Sequence, residues 1–306
     1  MEDEGVPAPL DQRLSPQERD ALVAEHGLTR MGVRPPLRKY VRQLWERRAF
    51  IGVLATSKSQ ARNQNSYLGQ LWAVLNPLLN AAVYVIMFGL ILQSTRGMSN
   101  GIAFIVVGTF MFRFFEQSVV AGSRSISGNV NLVRSVHFPR AVLPISQVLS
   151  ELTTLVPALI VMGIIAFSSQ YIPGQGPVPL DWSWILVLPA VALLWLFSTG
   201  CAFLVGRWVA ITPDLKNLIP FVMRFLMYGS GVLFSITLRV GDGPFGVALE
   251  HQPVAVYLYL ARAAITDEPS IPPDVTMWWW GIGWALAFLV VGFLVFWRGE
   301  ERYGRD

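Results

Sequence analysis

Six stretches of this chain are each about as long as a membrane is thick. Residues 71–92, 101–121, 141–167, 183–206, 218–236 and 278–297 are predominantly apolar, with at most two ionisable side chains apiece. An α-helix needs roughly 20 residues to cross a hydrocarbon core of about 30 Å. Lipid offers no partner for a backbone N–H or C=O, so apolar segments of this length and continuity fold as helices that satisfy those groups internally. The predicted fold is therefore an all-α polytopic membrane protein with six transmembrane helices. Charged residues make up only 14% of the 306 positions, against about 25% in a soluble domain. A single cysteine excludes a disulfide framework.

The few charges orient the spans. From Thr29 to Ser66 there are nine basic residues and one acid, Glu46; the next loops on that side add Arg124, Arg134, Arg140, Arg207 and Lys216, and the tail adds Arg298, Arg302 and Arg305. The opposite loops carry Arg96, Arg239 and Arg262 beside Asp242, Glu250, Asp267, Glu268 and Asp274. Cytoplasmic loops accumulate Lys and Arg, so both termini are expected in the cytoplasm and the protein in a plasma (bacterial inner) membrane. Glu2, Asp3 and Glu4 stand where a secretory signal needs basic residues. The pI near 9.4 follows from this asymmetry, so the basic balance does not indicate nucleic-acid binding.

Four regions follow: a leader over 1–36, an amphipathic interface or gate helix region over 37–66, a six-span domain over 67–300 and a tail over 301–306. In Leu37 to Ala55, helical spacing gathers Leu37, Tyr40, Val41, Leu44, Trp45 and Ile51 on one face and Arg38, Lys39, Arg42, Glu46 and Arg47 on the other. Such a helix lies along a membrane surface. It serves as a passive anchor, a docking surface or an electropositive collar for an anionic headgroup. Gly52 to Ser59, GVLATSKS, imitates a phosphate loop, but Ser57 replaces its second glycine and no strand precedes it, so any ATP is expected on another polypeptide. Between spans two and three, Asn129 or Asn131 is placed to cap a short helix that buries Leu132, Val133 and Val136 and ends before Pro139. That helix either packs on its own chain or seats in a partner. The segment Val254 to Ile265 is too short to span and carries Arg262, so it reads as re-entrant or interfacial.

Within the spans, Arg113 and Glu116 stand one helical turn apart. An ionised Arg at the bilayer centre costs about 2.5–3.5 kcal/mol on insertion scales, so it needs a partner or water. It is either half of a structural ion pair or the polar wall of a conduit, flanked by Phe110, Phe114 and Phe115, whose rings offer faces on which sugars slide. Glu151 and Arg224 are candidates for a cross-helix pair. Trp182 and Trp184, and Trp278 to Trp280, suit the outer aromatic belt. His26, His137 and His251 lack metal-ligand spacing, and no carboxylate dyad appears, so neither a metal site nor catalysis is expected.

Two segments carry a family resemblance. Residues 61–77, ARNQNSYLGQLWAVLNP, resemble the stretch leading into the first span of ABC-2 type permeases that export polysaccharides, through Arg62, Leu68, Gly69, Trp72 and Pro77. Asn131, Leu132, Val133, Val136, Phe138, Pro139 and Arg140 resemble a block that follows the second span in the O-antigen, teichoic acid and cell-wall galactan branch. The chain departs from that pattern at Phe112–Arg113 and at Ile211–Asp214. The resemblance implies a homodimer with two separate ATPase subunits, which bind ATP and Mg, while this chain holds no cofactor. It implies a coupling helix over 128–137 seated on the ATPase, with Asn129, Asn131, Leu132, Val133, Arg134, Val136 and His137, and short re-entrant helices between spans five and six. The expected function is translocation of a polyprenyl-pyrophosphate-linked polysaccharide. Its pyrophosphate would meet a collar of Arg38, Lys39, Arg42, Arg47, Arg48, Lys58 and Arg62, and its glycan a conduit of Phe110, Arg113, Phe114, Phe115 and Glu116. The alternatives are a drug or lipid exporter of the same superfamily and a gradient-driven carrier, although the latter usually shows internal repeats.

Overall fold

Helices account for all regular secondary structure among the described residues of the computed structural model, which are 35–61, 69–92, 96–136, 138–241 and 243–303. The stretch expected as a single interface helix from Leu37 is two helices, α1 (Leu37–Glu46) and α2 (Arg48–Ala61). Arg47 leaves helical geometry between them, its N–H shared by the carbonyls of Gln43 and Leu44. The break lets α1 lie across the end of the bundle while α2 packs along α6 (Val142–Ser169).

Among the described residues, four helices are long and apolar enough to cross a membrane: α4 (Gly101–Ser123), α6, α7 (Val187–Ile211, with a 3-10 turn from Trp182) and α12 (Val275–Arg298). The remaining two predicted spans are built differently. Gly69 opens the first at φ +49°, backbone that glycine adopts without strain, and a 3-10 turn then leads into α3 (Trp72–Tyr84). From Val85 to Ile91 the same rod widens to π-helix, with the Leu92 N–H bonded to the Met87 carbonyl at 2.8 Å. The fifth predicted span, 218–236, is realised as α8 (Leu215–Gly229), which stops short of the expected end. Its continuation breaks at Gly231, φ +68°, before α9 (Ile236–Val240), α10 (Pro244–Glu250) and α11 (Pro253–Ile265).

The central helix is α4, which packs against α3, α6, α7, α8 and α11. Close approach elsewhere depends on small residues, as expected where lipid leaves van der Waals packing to hold helices together. A Cβ on Gly292 of α12 would stand 2.3 Å from the Gly200 carbonyl of α7, so the two backbones touch there.

Each end of the bundle is tied by polar contacts. At one, the Glu268 carboxylate accepts the Ser99 and Asn100 N–H groups at 2.9 and 3.3 Å, putting negative charge at the positive end of the α4 dipole. The Asn100 side chain caps Ala103 at 2.9 Å, and Ser183, just before α7, donates to the Ala264 carbonyl of α11. Trp182 and Trp279 are exposed at this same end. At the other end α1, the start of α6 and the end of α12 meet, so the two ends of the described chain lie together.

Candidate functional site

The end of the bundle that carries α1 is organised around Tyr40 and Glu300. The buried Tyr40 hydroxyl donates to Glu300 Oε2 at 2.8 Å and accepts from the Ala141 N–H at 3.1 Å. Glu300 Oε1 accepts the Arg140 N–H at 2.9 Å, and Arg140 Nη1 donates to the Glu300 carbonyl at 3.1 Å. Burial, and then the Glu300 charge, push the Tyr40 phenol well above its ordinary pKa. Burial also raises Glu300, while the bonds from Arg140 and Tyr40 and the Arg140 charge pull it back. The sequence places Tyr40 on an apolar face and Arg140 in a motif but gives Glu300, the last residue of the six-span region, no role. Its partners lie 160 and 260 positions away in the chain, so no local pattern announces it.

Of the residues expected to form the collar, Arg38, Lys39, Arg42, Arg47 and Arg48 are exposed. Arg42 pairs with Glu46 at 2.9 Å, and Arg48 lies over the Trp45 ring. Lys58 turns inward. Its Nζ is buried with no hydrogen-bond partner among the described residues, and burial lowers its pKa to about 8. Arg62 lies outside the described residues.

The predicted coupling helix forms as α5 (Val130–Ser135). Val133 is buried and Leu132 packs beside it, in a cluster that includes Ile51 of α2, Phe138 and Phe203. Val130, Asn131, Arg134 and Val136 are exposed, so one side of α5 docks on its own chain while the other stays open. Val136 was expected on the buried side; it follows the helix with extended backbone, which turns it outward. Asn129 precedes the helix without capping it, its side chain donating instead to the Ser125 carbonyl at 2.7 Å. His137 lies outside the described residues.

The residues expected in the lead-in motif and the conduit converge in part. Trp72 and Pro77 of α3 and Phe110, Arg113 and Phe114 of α4 line one cleft of about 330 Å³ between α2, α3, α4 and α6. Gly69 is not in its wall and acts through its backbone, as above. Arg113 Nη1 bonds Glu116 Oε2 at 3.1 Å, and both side chains keep some exposure. Glu116 faces a small neighbouring pocket with Tyr84 and Met227. Phe115 belongs to the core instead, stacked on Phe197 at 5.5 Å. Glu151 also lines the cleft, while Arg224 is exposed on α8, which has no extended contact with α6; the pair expected between them is not built.

Two features escaped the sequence reading. Phe221, Phe225 and Tyr228 are exposed along α8 while Ile219, Met223 and Met227 are buried behind them. The spacing of Phe221 and Phe225 by one turn was the available signal. Arg262, counted as a loop charge, is instead buried within the bundle. Its guanidinium donates to the carbonyls of Phe104 at 3.1 Å, Gly231 at 2.8 Å and Val232 at 2.7 Å.

Comparisons with known proteins point the same way as this helical arrangement. An O-antigen export system permease protein RfbA of Myxococcus xanthus is 28% identical over 236 residues, covering 76% of this chain and 86% of the relative. A protein of the same name from Klebsiella pneumoniae is 26% identical over 187 residues, covering 60% of this chain and 68% of the relative. The family model described as "ABC-2 type transporter" matches residues 50–239, from within α2 to within α9, and the chain belongs to that family.

Proposed function

We propose that this chain is the membrane subunit of an ATP-driven exporter that moves a lipid-linked polysaccharide of O-antigen type across the plasma membrane. The observation that carries the reading is the similarity to an O-antigen export permease over three quarters of the chain, with a family match over residues 50–239 that takes in most of α2, all of α5 and the cleft. In this reading the functional unit is a homodimer with two ATPase subunits, and both termini are cytoplasmic. The exposed side of α5 seats on the ATPase, which binds and hydrolyses ATP. Its buried side transmits the push to α2 and the start of α6 through Val133 and Phe138.

The exposed guanidinium and ammonium groups of α1 attract the pyrophosphate of the carrier lipid, as clustered Lys and Arg at a membrane surface attract anions. The conduit forms between two copies of α3 and α8. The open aromatic stripe of Phe221, Phe225 and Tyr228 supports that placement, since aromatic faces let a polyhydroxylated chain pass without tight binding.

Depletion of the chain in its host tests the reading. Loss of surface polysaccharide, with lipid-linked polymer accumulating inside and both restored by the intact gene, is the expected result. Unchanged surface polysaccharide with altered efflux of small amphiphiles would favour a drug or lipid exporter and overturn the proposal.

A further inference from the structure

The cleft beside α2 has polar groups in its wall that no described residue satisfies. Arg113, Gln117 and Arg124 lie on one face of α4, with the backbone positions of the two arginines about 16 Å apart along the axis. Asn76 faces them from α3, and Glu151 and Thr154 from α6. The Gln117 amide, the Asn76 amide and the Arg124 guanidinium have no side-chain hydrogen bond to any described residue. Arg113 uses one guanidinium nitrogen for Glu116. The rest of the wall is apolar, with Phe110, Phe114, Leu155 and Ala158.

We infer that this cleft is an intraprotomer binding site for an anionic lipid whose headgroup carries a phosphate and hydroxyl groups. Guanidinium forks match phosphate oxygens. Amides donate to and accept from hydroxyls, and the Phe rings face the first methylenes of a tail. A volume of about 330 Å³ is at the small end of ligand sites, enough for a headgroup and too small for a polymer. Ser59, near the end of α2, and the exposed Arg124, just past the end of α4, also line it, so a lipid reaches the cleft beside Arg124 without crossing the bundle. Two sources share this chemistry: a bilayer lipid such as phosphatidylglycerol and the phosphate-linked sugar of a polyprenyl carrier. The second rests on the export reading; the first does not.

Native mass spectrometry of the full chain in lipid-free detergent tests the site. The three probes are phosphatidylglycerol, undecaprenyl-pyrophosphoryl N-acetylglucosamine and phosphatidylcholine. One phosphate-and-hydroxyl lipid per protomer is expected, bound at least tenfold more tightly than phosphatidylcholine. Gln117→Leu combined with Arg124→Gln removes that preference while the thermal midpoint stays within 2 °C, about the shift of a minor surface change. Arg124→Gln alone, at an exposed position, loses part of it. Preference for the carrier assigns the site to the carrier lipid, and equal binding of phosphatidylglycerol assigns it to the bilayer; both support the site. Binding unchanged in both variants, or no preference over phosphatidylcholine, overturns it. Surface polysaccharide measured with the same variants keeps the two proposals apart, because binding without export contradicts only the export reading.

Discussion

Arg262 and Gly231 join two parts of the chain that the sequence separates by 31 positions. The guanidinium of a helix too short to cross the membrane donates at 2.8 Å to the carbonyl of the residue where α8 breaks. The same group bonds Val232 and Phe104, so α11 holds the freed carbonyls of the break against the central helix. A broken helix at membrane depth survives only if its backbone groups find partners inside the protein. The Phe104 ring lies under the same guanidinium, 3.4 Å from its carbon, and supplies the electron-rich face that a buried cation otherwise lacks.

Arg262→Met removes the donor from the Gly231 and Val232 carbonyls and the second donor from the Phe104 carbonyl, which keeps its bond within α4. Hydrogen bonds to charged groups are worth about 1.5–3 kcal/mol each, so a loss of about 4 kcal/mol or more is expected. Arg262→Lys recovers less than half, because an ammonium on a flexible stem cannot bridge three carbonyls at once. Thermal unfolding of the detergent-solubilised protein measures both, and a Lys variant as stable as wild type would refute the bridging role.

At Gly108 a Cβ would lie 2.1 Å from Arg262 Nη2 and 3.0 Å from the Val232 carbonyl. Gly108→Ala is expected to cost about 2–3 kcal/mol by displacing the guanidinium, within the range for overpacking. In the Arg262→Met background the same change costs less, since its main clash is gone. A double-mutant cycle showing additive losses would contradict this coupling.

Tyr40→Phe removes the hydroxyl that links Glu300 to the Ala141 N–H and leaves two buried groups short of a partner. The expected loss is about 2 kcal/mol, accompanied by faster proteolysis near α1. Glu300→Gln is milder than Glu300→Ala because the amide keeps one acceptor for the Arg140 N–H. Proteolysis rates identical to wild type in Tyr40→Phe would show that α1 is held by other contacts.

Lys58 gives a pH signature. Burial lowers its folded pKa to about 8, below the unfolded value of 10.5, so folding releases a proton between those limits. Its contribution to stability therefore rises as pH increases from about 8 toward 10.5. Lys58→Met is expected to raise the thermal midpoint at pH 7 by a few degrees, the equivalent of about 1 kcal/mol, and to flatten the rise between pH 8 and 10. A wild type with no such slope would place Lys58 in water.

The Arg113–Glu116 pair separates its two roles by charge reversal. If the pair only fixes α4, exchanging the residues restores export lost in Arg113→Met; if Arg113 meets substrate, export stays down at least tenfold in the exchanged variant. Surface polysaccharide in depleted cells carrying each variant reads the difference.

Much of the framework was legible in the residues alone. Long apolar runs must be helical in lipid, and for α4, α6, α7 and α12 the predicted spans match helices of spanning length. The resemblance carried by residues 61–77 and 131–140 pointed to the family that residues 50–239 match. Short periodicity also marked α5. Other features depended on distant partners. Hydropathy carried the fifth span through Gly231, whereas the chain turns there because Arg262 satisfies the released carbonyls. Charge counting placed Arg262 in a loop, and residue type placed Phe115 in a conduit; a buried cradle and the Phe197 ring placed them otherwise. Local composition determines which segments leave water, because transfer into lipid is paid residue by residue. Which buried polar group meets which depends on helices from opposite ends of the sequence arriving at one place, and only the tertiary structure decides that.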